Sequence, residues 1–125
     1  MITQLGHVTV VVKDLSKSLR FFRDKVGLHL AFFDKKHKWV CFDAGRTAFS
    51  LTTPWNRESK KLVGRRTGVS FYVDDMEKTV KALRKKKVSF TVLPKKQPWG
   101  GILASFEDLD HNRFFLLQMP PGFDK

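Results

Sequence analysis

One cysteine, Cys41, stands among 125 residues, so no internal disulfide can form and the fold must rest on a buried core. No apolar run approaches the roughly 20 residues that a membrane helix needs. The opening Met1-Ile2-Thr3-Gln4 lacks the charged-then-apolar layout of a secretion signal. Together these absences lead us to expect a cytoplasmic protein with no membrane partner. Acid is scarce as well: 12 Asp and Glu face 24 Lys and Arg, a formal net charge of +12. What the chain does hold is apolar mass. Hydrophobic residues make up 42% of it and twelve are Phe, which argues against a disordered chain and is enough for one domain's core.

The positive charge permits an anionic partner, whether nucleic acid, a phosphorylated metabolite or a membrane surface. Its make-up points elsewhere. Sixteen of the basic residues are Lys and eight are Arg, and Lys is the hydrated point charge, less suited to bidentate recognition. The runs Lys35-Lys36-His37-Lys38, Lys60-Lys61, Arg65-Arg66, Arg84 to Lys87 and Lys95-Lys96 lie in separate segments. A solvated surface is therefore expected, and nucleic acid is not the expected partner.

The chain repeats itself. Shifted by 61 residues, His7 lands on Gly68, and Val12-Lys13-Asp14-Leu15 overlies Val73-Asp74-Asp75-Met76. Lys17-Ser18-Leu19 then overlies Lys78-Thr79-Val80, and Phe22-Arg23 overlies Leu83-Arg84. One fixed offset through a strand and a helix signals duplication of a supersecondary unit. In each copy an alternating strand comes first, with Val8, Val10 and Val12, then Val69, Phe71 and Val73, forming its apolar face. Asp14 and Asp75 are good helix N-caps. Leu15, Leu19, Phe22 and Val26 follow at helical spacing in the first copy, and Met76, Val80 and Leu83 in the second. Gly27 stands where the first helix should stop.

Three short strands are predicted after each helix, near 28–33, 39–43 and 47–52, then near 89–93, 103–107 and 113–118. The domain thus reads as module one, about 4–53, a charged linker, 54–66, and module two, about 67–118. Two positions break local rules. Lys87 sits at the helix end where module one has Gly27, and His111 occupies the tight turn Asp110-His111-Asn112. Positive φ at either costs on the order of 1 kcal/mol.

The duplicated βαβββ pattern, the opening Gly6-His7-Val8-Thr9 and the closing Phe106-Glu107-Asp108-Leu109-Asp110-His111-Asn112-Arg113-Phe114 resemble the vicinal oxygen chelate superfamily, that is, the glyoxalase/bleomycin resistance/extradiol dioxygenase proteins. The closing segment is similar to that family's F-x-D-P-D-G-N ending, with Leu109 and His111 replacing Pro and Gly. The resemblance runs from about Leu5 to Gln118. It implies an α+β fold of two tandem βαβββ modules forming a half-open barrel cleft. It also implies, in enzymatic members, one divalent metal held by the first and last strands of each module. Those places fall at His7, Ser50, Gly68 and Phe115. A catalytic Zn²⁺ normally takes three protein ligands, and Mg²⁺ or Mn²⁺ wants carboxylate oxygens. This set supplies neither, so no metal and no cofactor are expected.

Strand alternation selects the candidate site independently. If the apolar positions face the helices, then His7, Thr9 and Ser50 of module one face the ligand cleft. In module two Ser70, Tyr72, Arg113 and Phe115 do so. Trp39 and Cys41 can take either face. His7 could anchor a ligand or act as a general base, or it could simply be satisfied by a neighbour. Arg113 could meet an anionic group or stand in solvent. Trp99, in Gln97-Pro98-Trp99-Gly100-Gly101, suits a lid over a flat ligand, or packing against module two. The leading expectation is a metal-free protein that binds a small organic molecule, aromatic or anionic, with His7, Thr9, Trp39, Ser50, Ser70, Tyr72, Trp99, Arg113 and Phe115 as binding residues. No catalytic residue is assigned, and a homodimer is expected. The alternative is an isomerase, lyase or dioxygenase using a relocated metal or acid–base groups such as His7 and Tyr72. A nucleic-acid-associated protein comes last, because no binding motif accompanies the charge.

Overall fold

Both helices start where a carboxylate can cap them. In the computed structural model, which describes residues 1–122, Asp14 and Asp75 have extended backbones. They accept the amides of Lys17 and Lys78, each at 3.0 Å. Helix α1 (Leu15–Arg20) and helix α2 (Met76–Lys85) follow. Each bond satisfies an amide that the first turn would leave unpaired. The chain divides into two compact units, one ending at Gly64 and the next beginning at Arg65.

The first unit holds β1 (His7–Val11), α1, β2 (His29–Asp34), β3 (Trp39–Ala44) and β4 (Thr47–Thr52), with a short 3-10 turn at Ser59–Leu62. Its sheet runs β1-β4-β3-β2, with β1 parallel to β4 and the other pairs antiparallel. The second unit repeats the plan with β5 (Arg66–Tyr72), α2, β6 (Ser89–Lys96), β7 (Ile102–Glu107) and β8 (Arg113–Gln118), ordered β5-β8-β7-β6. Each sheet is open and neither closes into a barrel. Strand β6 runs three residues beyond its expected end, and β5 starts at Arg66 inside the expected linker. Pro94 can sit in β6 because that strand is an edge, where its missing N–H breaks no ladder.

The cores form where helix meets sheet. In the first unit the Phe22 ring lies 5.1 Å from Phe49 and 6.2 Å from Phe42, with Val10, Val12 and Leu51 buried around them. In the second, Phe106 and Phe114 stack at 5.4 Å beside buried Met76, Val80 and Leu83. Fully burying each such side chain contributes about 1.5–3 kcal/mol. Among the described residues no helix is long and apolar enough to cross a membrane.

Helix α1 departs from the single helix that the spacing predicts. After Arg20 it widens into a π-helical turn, Phe21–Val26, that stops at Gly27 with φ of 88°. Both Phe21 and Phe22 are buried there, while Val26 is only half-buried. The cause is visible in the repeat. From cap to left-handed residue, Asp14 to Gly27 spans one residue more than Asp75 to Lys87, and a π turn accommodates one extra residue.

The two rule-breaking positions are left-handed as the sequence suggests: Lys87 has φ of 64° and His111 has φ of 65°. His111 is held in a turn organised by Asp108. One Asp108 oxygen accepts the amides of Asp110 and Asn112 at 2.9 and 2.8 Å, and the other accepts the Asn112 side-chain amide at 2.9 Å. Burial nevertheless pushes the Asp108 carboxyl above its ordinary value and outweighs these donors, with the Asp110 charge adding to the rise.

Two outcomes follow from these turns. Lys87→Gly should be neutral or stabilising by up to about 1 kcal/mol, because glycine removes the left-handed penalty; a clear drop in Tm would contradict this. Asp108, whose folded-state value is raised, favours the folded state most at low pH, and that contribution is lost as pH rises through the raised value. Carboxyl NMR titration should place its midpoint above 3.8, and a midpoint at or below that value would show that the hydrogen bonds win.

Candidate functional site

With Val8, Val10, Val40, Phe42, Phe49 and Leu51 committed to the helix side, strand periodicity sends the intervening residues to the other face of the first sheet. Cross-strand register arranges them in rows. Thr9, Ser50, Cys41 and Phe32 form one row, and Val11, Thr52, Trp39 and Asp34 form the next. His7, Ala48, Asp43 and His29 form a third. The structure thus brings His7, Thr9, Trp39 and Ser50 onto one face, and settles Trp39 and Cys41 there too.

A polar pair and an aromatic pair meet on that face. His7 Nδ1 lies 3.0 Å from Ser50 Oγ, and the His7 ring is 6.0 Å from Trp39. The Trp39 ring meets Phe32 edge-on at 5.3 Å. Ser50 is fully buried, His7 and Thr9 are exposed, and Phe32 is 53% exposed. The Cys41 thiol is buried in this face and approaches the Phe42 carbonyl at 3.9 Å.

Phe32 is the residue that strand counting misses. Alternation from His29 would turn Phe32 toward the helix and put Ala31 opposite Cys41. A register shift between Leu30 and Phe32 inserts one unpaired residue and moves Phe32 to the polar face. The second sheet has the same shift between Phe90 and Val92, at the corresponding place in the repeat. Recurrence at both places marks it as part of the module, although no single residue type announces it.

The second sheet presents a face of its own. Ser70, Phe115, Ser105 and Val92 form one row, and Tyr72, Leu117, Leu103 and Lys95 the next. Arg113 lies between Arg66 and Glu107 in a third. Ser70, Tyr72, Arg113 and Phe115 therefore share this face, with Tyr72 67% exposed and Phe115 half-buried. Thr91 donates to Ser105 Oγ at 2.8 Å beside them. Between Arg66 and Ser70 the pairing is broken where Gly68 takes φ of 73°. Trp99 belongs to neither sheet: it lies in the β6–β7 turn, 50% exposed, with its ring where a Cβ on Gly101 would stand.

The other histidines are engaged locally. His37 bonds Asp34 through its amide and its ring, at 2.9 and 2.8 Å, and holds that carboxyl below its ordinary value. His111 Nδ1 lies 3.1 Å from Glu107, and His29 lies 3.8 Å from Asp43. Among the described residues no three His, Cys, Asp or Glu side chains gather to hold a metal. The four places that the resemblance gives to a divalent ion carry an exposed imidazole, a buried hydroxyl, a left-handed glycine and a half-buried phenyl ring. That donor set does not fit a catalytic metal.

A family model described as the Glyoxalase/Bleomycin resistance protein/Dioxygenase superfamily matches residues 4–116. A crystal structure of a member of that superfamily from Sphaerobacter thermophilus DSM 20745 aligns with a TM-score of 0.83 at 30% identity, covering 94% of this chain and 98% of that one. TnmS3, an antibiotic binding protein from Streptomyces sp. CB03234, aligns with a TM-score of 0.79 at 28% identity, over 94% and 96%. The protein YraH of Bacillus subtilis (strain 168) is 28% identical over 126 residues, 93% of this chain and 98% of that protein.

The contact between Trp99 and Gly101 gives a direct test. Gly101→Ala should push the Trp99 ring aside and cost about 1 kcal/mol. Of the indole N–H resonances of Trp39, Trp55 and Trp99, that of Trp99 should move most; an unmoved Trp99 signal would show that its ring does not rest on Gly101.

Proposed function

The chain belongs to the glyoxalase/bleomycin resistance protein/dioxygenase superfamily, and from that membership we propose that it binds a small organic molecule, aromatic or anionic, without using a metal. The observation that carries this reading is the His7–Ser50 pair set beside the Trp39–Phe32 wall on one sheet face. An aromatic wall contributes area and stacking, and a few fixed polar groups orient the ligand; small-molecule sites are commonly made this way. The similarity to TnmS3, an antibiotic binding protein, supports binding as the role. On the second sheet, Ser70, Tyr72, Phe115 and Arg113 offer the same mixture, with Arg113 suited to a carboxylate or phosphate. Trp99 adds an aromatic surface on a glycine-bearing turn.

A strongly cationic ligand is disfavoured, because a net charge of +12 repels it within a Debye length. The single buried thiol of Cys41 fits a reducing, cytoplasmic setting. We include a homodimer in the proposal, supported by Val92 and Leu93 standing exposed on the edge strand β6.

Native mass spectrometry with elemental analysis tests the metal and the dimer together. The purified protein should have the mass of a dimer and carry no stoichiometric metal. One equivalent of tightly held Zn, Ni, Mn or Fe, lost on His7→Ala, would overturn the metal-free reading and favour the enzyme. A monomer at micromolar concentration would remove the dimer from it.

A further inference from the structure

We propose that Ser50 is a positioning residue that fixes the neutral His7 ring with its proton on Nε2, so that the site offers a ligand an N–H donor. A hydroxyl has one hydrogen to donate, and a buried one must find an acceptor. Ser50 is fully buried, and among the described residues its side chain has one partner, His7 Nδ1 at 3.0 Å. Its cross-strand neighbour Cys41 directs its thiol to the Phe42 carbonyl instead. If Nδ1 carried the proton, it would donate to Ser50 Oγ and leave the hydroxyl hydrogen buried with no acceptor. That cost favours the Nε2–H form by about tenfold or more.

The choice of tautomer sets the kind of ligand atom that His7 can meet. With Nδ1 occupied as an acceptor, the exposed His7 ring has its Nε2–H left to offer, and the Trp39 ring lies 6.0 Å away, centroid to centroid. An N–H donor at the rim of an aromatic wall matches an oxygen acceptor, a carbonyl or carboxylate, attached to a flat ring. It does not match an amine or another donor. This ligand class rests on the binding reading above, whereas the tautomer is a property of the protein alone.

The ring nitrogens of His7 report the tautomer directly through ¹⁵N chemical shifts, in ligand-free protein at a pH where the ring is neutral. Nε2 should be protonated and Nδ1 bare, by about tenfold or more. The Ser50 hydroxyl proton should exchange slowly and couple to Nδ1, a readout that needs no variant. Ser50→Ala should move the ring toward the mixed populations of an unconstrained imidazole, and Ser50→Thr should keep the fixed form. A protonated Nδ1 in the parent, or an unchanged ratio in Ser50→Ala, would overturn the proposal.

Two neutral probes of similar size then test the ligand class without interference from the protein's charge. 2-Acetylnaphthalene, which carries a carbonyl, should bind about tenfold tighter than 2-ethylnaphthalene and perturb Nε2 more than Nδ1. Equal binding of the two would refute the donor role while leaving small-molecule binding intact. Binding of neither would refute the aromatic-acceptor class while leaving the tautomer result to stand on its own.

Discussion

The packing of each helix against one face of its sheet is the constraint on which the rest depends. Once Phe22 lies against Phe42 and Phe49, strand alternation fixes which residues of β1, β3 and β4 reach the opposite face. His7, Ser50, Cys41 and Trp39 come together there because their neighbours in sequence are committed to the core. The same holds for Ser70, Tyr72 and Phe115, whose neighbours Phe71, Phe114 and Leu116 pack inward. A polar and aromatic surface is thus the by-product of an apolar one, and its exposed residues, His7, Thr9 and Tyr72 among them, can change type without disturbing the packing that places them. The core says little about chemistry for that reason, and sheets this similar are compatible with several activities.

Much of this was legible from the sequence. Two aspartates 61 residues apart cap two helices, Lys87 and His111 take the left-handed conformation expected of them (Lys38, with φ of 58°, takes it unforeseen), and β4 and β8 have the limits read from their alternation. Alternation also assigned His7, Thr9, Ser50, Ser70, Tyr72, Arg113 and Phe115 to their faces. Part of what escaped depends on a count being off by one. Phe32 was missed because a bulge is a shift in pairing, and pairing is a property of two strands rather than one. Likewise the π turn lies in the difference between two helices' lengths, which only their comparison reveals. The His7–Ser50 bond joins residues 43 positions apart and has no local signature.

The positive charge falls where the structure can accommodate it. Lys35, Lys36 and Lys38 occupy the exposed β2–β3 turn. Arg84 and Lys85 end α2, where cations complement the helix dipole. Lys95 and Lys96 stand on the β6 edge, where charge discourages unwanted strand pairing. These three clusters stand at a turn, a helix end and a strand edge. Arg66 and Arg113 are the exception: these like charges face one another across a parallel pair, and the Glu107 opposite Arg113 is already shared with His111.

The π turn in α1 shows where this architecture tolerates a change of length. One residue gained inside a strand would reverse the direction of every side chain beyond it, putting core residues in solvent and site residues in the core. The same residue gained in the helix only widens a turn, and the strands on either side keep their pairing. The helices therefore act as slack in the modules: the two copies have drifted apart in length while the faces that bear His7 and Ser70 stay in phase.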